Sequence, residues 1–244
     1  MLASLTELRS YYVQGKDGEI GRIEDLCFRE DDWIVRYVVV DMEDLGREAL
    51  LLSAYLGPFH RDTHTVSADI RREQVQNTPA FDRAQPLTKR EEQELHELYG
   101  WPGYWWEQEH QITPLDDLWG DPLEEPQIPE EREQEEEGPQ RQFVSELLNV
   151  YGIQSDDAEV GILQDVIVED ENWAISYLVV NVQPAGHRVL LAADYIQTVD
   201  LGARRIYLAV TKDAIVNSPV VSSEQPITPE LEQSLREYYD QYSR

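Results

Sequence analysis

The chain repeats itself. Displacing the sequence by 140 residues lays Glu19-Ile20-Gly21 over Glu159-Val160-Gly161, Asp25 over Asp165, Trp33 over Trp173 and Tyr37 over Tyr177. The match continues through Val39-Val40/Val179-Val180, Gly46/Gly186, Leu50-Leu51/Leu190-Leu191, Tyr55/Tyr195 and Asn77/Asn217 to Tyr99/Tyr239, without a gap. From Glu19 to Tyr99, 21 of 81 aligned pairs are identical, where about five would follow from ordinary composition. Whatever one copy folds into, the other must fold into as well. Upstream the register slips by one, with Thr6-Glu7-Leu8 opposite Ser145-Glu146-Leu147. The extra residue is expected in the turn at Gly15–Gly18 (Gln154–Ala158 in the second copy), because turns absorb insertions at little cost.

Each copy reads as mostly β. After the turn signal Lys16-Asp17-Gly18, the apolar residues Ile20, Ile23, Leu26 and Phe28 step by three, three and two. A regular strand steps by two, so a bulge is expected near Glu24-Asp25. Gly21 and Gly161, matched just before it, suit a tightly curved strand or a close backbone approach. Trp33 to Val40 is rich in aromatic and β-branched residues on both faces, the pattern of a strand covered on both sides. Ala49–Leu52 and, more weakly, Thr65–Ile70 read as further strands, and Arg71–Gln76 as a short helix. Thr88 and Thr228 then sit as N-caps ahead of Leu95 and Leu98, and of Leu231, Leu235 and Tyr238. The expectation is a mainly β chain of two small barrels in tandem, each with a short C-terminal helix.

Between the copies the composition changes. Leu123 to Pro139 holds three prolines and few apolar residues, and residues 101–142 carry 13 acids against 2 bases. Such a stretch cannot bury enough surface to offset its ordering entropy, and its charges hold it extended. The expected division is a first domain over 1–106, an acidic linker over 107–141 and a second domain over 142–244. The whole chain has a formal net charge of -29. That charge opposes direct binding to nucleic acid or anionic lipid. Without an apolar run near the ~20 residues of a spanning helix, or a basic start followed by an apolar stretch, a cytoplasmic protein with no transmembrane segment is expected.

Asp17-Gly18-Glu19-Ile20-Gly21-Arg22-Ile23-Glu24-Asp25-Leu26, followed by Asp32-Trp33-Ile34-Val35-Arg36-Tyr37-Val38-Val39-Val40-Asp41, resembles the PRC-barrel family. Leu50-Leu51-Leu52-Ser53, Val75 to Pro79 and the closing Leu98-Tyr99-Gly100-Trp101-Pro102-Gly103-Tyr104-Trp105 carry the resemblance on. It covers most of residues 3–106 and, more weakly, 143–240. The family is named for the cytoplasmic domain of the photosynthetic reaction-centre H subunit. It also includes the C-terminal domain of the ribosome maturation factor RimM and stand-alone bacterial proteins, to which this chain is most similar. The resemblance implies a six-stranded barrel per copy and a binding or assembly role. Two further roles follow from it as alternatives: a peripheral component of a membrane complex, held through a protein partner, and a ribosome- or RNA-processing-associated factor.

No phosphate-binding loop, nucleophile elbow or zinc helix is present, so no catalytic, cofactor-binding or metal residues are assigned and an enzyme is not expected. His60 and His64 stand four apart, but in what reads as a loop. Asp25 and Asp165 read as acceptors of backbone N–H groups at the bulge. Trp33 and Trp173, with Tyr37 and Tyr177, read as packing residues, and Cys27 as a small strand hydrophobe. Four of the six tryptophans lie between residues 101 and 119. Trp101, Tyr104, Trp105 and Trp106 are therefore candidates for protein contact, or for a strap over the chain's own apolar surface. The partner stays unnamed, and pairing of the barrels within the chain or with a second copy stays open.

Overall fold

The structure is a computed structural model that describes residues 1–29, 32–78, 83, 89–100, 141–220 and 227–242. The first copy runs β1 (Leu2–Ser4), α1 (Leu5–Leu8), β2 (Tyr12–Gly15), β3 (Gly18–Arg29), β4 (Val35–Met42) and β5 (Arg47–Leu52). A 3-10 turn at Ser53–Tyr55 leads to β6 (Leu56–His60), β7 (Thr65–Ala68), α2 (Arg72–Gln76) and α3 (Lys89–Tyr99). The second copy repeats the series as β8 (Arg141–Phe143), α4 (Val144–Leu147), β9 (Gly152–Gln154), β10 (Glu159–Glu169), β11 (Ile175–Val182) and β12 (Arg188–Ala192). Its own 3-10 turn, Ala193–Tyr195, precedes β13 (Ile196–Asp200), β14 (Arg205–Leu208), α5 (Lys212–Val216) and α6 (Pro229–Asp240).

The chain is mainly β, with two seven-stranded sheets. The spatial orders are β5-β4-β3-β2-β7-β6 and β12-β11-β10-β9-β14-β13. Among the described residues only the β2–β7 and β9–β14 pairs are parallel. Closed barrels are not what forms: each order ends on strands that are consecutive in the chain, joined by the 3-10 turn rather than by a ladder.

The seventh strand of each sheet comes from the other copy. β8 pairs with β3 through Cys27↔Phe143, Phe28↔Gln142 and Arg29↔Arg141. β1 pairs with β10 through Ile167↔Ser4, Val168↔Ala3 and Glu169↔Leu2. These are the same pairings moved by one repeat, so the two arms, β1–α1 and β8–α4, are exchanged about a pseudo-twofold axis. That axis passes by the Ile34↔Ala174 bridge. There the Val35 N–H donates to the Trp173 carbonyl at 2.9 Å and the Ile175 N–H to the Trp33 carbonyl at 2.8 Å. Tandem units with separate interiors would leave each arm on its own sheet. Instead one continuous buried cluster includes Leu5, Leu8 and Ile23 together with Val144, Leu147 and Leu163.

The long strands bend where the stepping predicts. Register shifts fall between Ile23 and Asp25 and between Leu163 and Asp165. A Cβ at Gly21 would lie 2.3 Å from the Asp41 carbonyl oxygen, and one at Gly161 2.0 Å from that of Asn181. The crossing of neighbouring backbones at the bend therefore requires glycine at both positions. β4 is buried on both faces from Tyr37 to Val40. The one-residue slip, however, is not in the turn. Val13 pairs with Gly21 as Ile153 does with Gly161, so the 140-residue register already holds at β2 and β9. The extra residue sits between α4 and Tyr151, where Asn149 takes a left-handed φ of 59°.

Candidate functional site

The matched polar residues converge on the exchanged arms. At the β3 bulge the Asp25 carboxylate is fully buried. It accepts the Leu26 N–H at 2.8 Å, as a bulge acceptor should, and also the Ser145 N–H of α4 at 3.1 Å. The Ser145 hydroxyl donates to its second oxygen, and Arg83 Nη1 donates there at 3.1 Å. Arg83 also forks onto Glu48 at 2.6 and 2.7 Å, and its guanidinium lies 5.7 Å from the centre of the Phe143 ring on β8. Burial opposes its charge, but the Glu48 hydrogen bond and the Glu48 and Asp25 charges hold its pKa above the ordinary arginine value. Asp25 thus holds its own strand's bend and caps the other copy's arm, with a cation beside it.

Asp165 repeats this with less. It accepts the Val166 N–H at 2.9 Å and the Thr6 N–H of α1 at 3.4 Å. The residue at the position of Arg83 is Ser223, that at Glu48 is Arg188, and that at Phe143 is Ser4. No cation pairs with Asp165 among the described residues. Burial pushes its carboxyl above the usual carboxylate range, against the lowering pull of the Thr6 hydroxyl and the Val166 and Thr6 amides.

Further contacts tie the copies together near the axis. Asp170 closes β10 by donating its N–H to the Met1 carbonyl at 3.0 Å, and its carboxylate accepts the Phe59 N–H at 3.3 Å and contacts the Met1 amino group. The Phe59 ring meets Trp173 edge-on at 5.1 Å, while Trp33 stacks on Phe28 at 4.9 Å. Both tryptophans are buried and take left-handed φ values of 55° and 57°, which turns the chain into β4 and β11. Their side chains pack against the seam and offer no open face. Among the described residues the Trp173 Nε1–H has no acceptor.

Tyr37 and Tyr177 face the C-terminal helices. The Tyr37 hydroxyl lies 3.1 Å from His96 Nε2 on α3, both buried. In the second copy Arg236 stands at the position of His96. Burial, then the nearby Glu232 carboxylate, push the Tyr177 phenol up to about 12. Tyr99 and Tyr239 close the helices onto the sheets by donating to the Leu50 and Leu190 carbonyls, each at 3.2 Å.

Trp101, Tyr104, Trp105 and Trp106 lie outside the described residues. His60 is the last residue of β6 rather than part of a loop, and His64 packs edge-on against Tyr11 at 5.3 Å with a left-handed φ. Cys27 is buried in β3. Among the described residues there is no cluster of His, Cys, Asp and Glu fit to hold a metal ion, and no helix is long and apolar enough to cross a membrane.

Two features of the site were not read from the sequence. Arg83 lies 58 residues from Asp25 with nothing local to mark it. The first arm did carry a signal: Ser4-Leu5-Thr6-Glu7 has the capping-box spacing, and the Ser4 hydroxyl accepts the Glu7 N–H at 3.0 Å. No family model matches the chain, and no curated protein matches it in sequence.

Proposed function

We propose that the chain is a non-enzymatic interaction or assembly module, built from two PRC-type units and working in the cytoplasm through protein partners. The observation that carries this reading is how the matched polar groups are used. Asp25 and Asp165 hold exchanged arms, and Tyr37 lies against the terminal helix of its copy. Of the groups that could move protons, the two aspartates are engaged in joining the two related sheets, and Tyr37 in seating the helix of its own copy. Rigid presentation of a surface in duplicate favours binding, since a partner with two equivalent contacts gains avidity. The charge of -29 favours partners that are basic over membranes or nucleic acid. The tryptophan-rich segment between the copies supplies the aromatic side chains that dominate interface energy.

The test is capture of partners from the native host by the full chain, compared with a variant in which Trp101, Trp105 and Trp106 are replaced together by alanine. Reduced recovery of specific protein partners at unchanged melting temperature is expected. Unchanged recovery with unchanged melting would contradict a role for the segment. A specific small-molecule turnover by the purified chain would contradict the non-enzymatic reading itself.

A further inference from the structure

The two arms are written alike as well as placed alike. Leu5-Thr6-Glu7-Leu8 and Val144-Ser145-Glu146-Leu147 share one pattern: an aliphatic residue, a hydroxyl residue, glutamate and leucine. Most of that pattern maps onto the docking. Both aliphatic residues and both leucines are buried. At the hydroxyl residue the backbone N–H donates to the bulge aspartate of the receiving sheet, from Thr6 to Asp165 at 3.4 Å and from Ser145 to Asp25 at 3.1 Å. The strand ahead of each arm helix pairs with matched positions of its receiver, Cys27–Arg29 or Ile167–Glu169. Each sheet therefore carries one socket, made of a strand edge and a buried carboxylate, and the segment that fills it belongs to the other copy. At that seam nothing distinguishes a copy supplied by the same polypeptide from one supplied by another.

We propose that the sockets also take the arms of a second copy of this chain: two chains exchange arms reciprocally, the first copy of each pairing with the second copy of the other. Every seam contact made within one chain recurs in such a pair, including the β3–β8 and β1–β10 ladders, the aspartate sockets and the Ile34↔Ala174 bridge. The contacts favour neither form, and the tether decides between them. Linked modules meet at an effective concentration that for short linkers is on the order of mM and falls with linker length. Residues 101–140 join α3 to β8, so exchange between chains competes once the protein concentration approaches that value. Reciprocal pairing closes after two chains and leaves no socket unfilled, as in domain swapping. Converting one form into the other means lifting both ladders and the bridge together, so a pair once formed outlasts dilution. This inference goes beyond the partner-binding reading above and does not depend on it.

The experiment uses the chain's single cysteine, Cys27, which is buried in β3 with Phe143 of β8 as its partner across the ladder. Cross-strand partners lie within the Cα separation that a disulfide spans. Full-length wild type is mixed with a full-length Cys27→Ala/Phe143→Cys variant, so that each chain holds one thiol and neither can bridge to itself. The mixture is unfolded in urea and refolded either dilute or at about 1 mM, the order of the tether's effective concentration. Both samples are then brought to the same dilution and treated with oxidised glutathione. The concentrated sample is expected to give a species of twice the chain mass in which wild type and variant are joined by a disulfide, and the dilute sample only single chains. Single chains from the concentrated sample overturn the proposal, and so does a dimer in which the two kinds of chain are not joined. Should Phe143→Cys fail to fold, chains carrying Leu2→Cys and Glu169→Cys, partners across the β1–β10 ladder, each with Cys27→Ala, are mixed in the same way. The same two outcomes then decide.

Discussion

Asp25 is fully buried, and four hydrogen bonds reach it from three parts of the chain: Leu26, Ser145 and Arg83. Truncation to alanine removes every acceptor at once and leaves a guanidinium, two amides and a hydroxyl facing an empty site. Removing one partner of such a buried set costs about 3–5 kcal/mol. Asp25→Ala is therefore expected to lower the urea midpoint by that much stability, and a loss under about 1 kcal/mol, the range of an ordinary surface change, would contradict this account of the bulge. Much at this scale was legible beforehand. Gly21, Asp25 and Trp33 announced themselves by recurring in the second copy, and the broken apolar stepping located the bend. Their partners were not legible, since Ser145 meets Asp25 across 120 residues and no local pattern encodes a contact of that range.

At the scale of elements, the strands with apolar runs and turn signals were readable, and so were the helices after Thr88 and Thr228. The Thr228 hydroxyl accepts the Leu231 N–H as an N-cap does. β1, α1, β8 and α4 are three or four residues long, too short to show any period, and their destination is a tertiary fact. Yet they are well buried: Leu5 and Leu8 are 0% exposed, Val144 0% and Leu147 1%. Burial of such side chains contributes about 1.5–3 kcal/mol each, so a short arm can decide where it docks. Leu5→Ala should cost about 2–5 kcal/mol, and hydrogen exchange should show the loss in β10 of the other copy as well as in β3. Loss confined to the first copy's own strands would mean that the arm does not dock across the seam.

At the scale of the whole molecule, the chain resembles a homodimer written as one polypeptide. Arms cross in both directions, backbone hydrogen bonds join Trp33 to Ile175 and Trp173 to Val35, and one buried cluster runs through both copies. Duplication was plain in the sequence, because identity at a fixed displacement survives whatever the packing. Exchange was not, because arms on their own sheet or on the other would bury the same residues and leave the same repeat. The open ladder between β5 and β6 was hidden for a related reason: strand patterns give neighbours, not closure. The acidic segment between the copies supplies the covalent link. The most direct measurement is to cleave the full chain within residues 107–140 and ask what the two fragments do. Exchanged arms and a common core predict that they stay together in native buffer, elute with the mass of the intact chain, and unfold in a single transition whose midpoint now rises with protein concentration. Fragments that separate without denaturant, or that unfold in two transitions independent of one another, would contradict the interlocked fold.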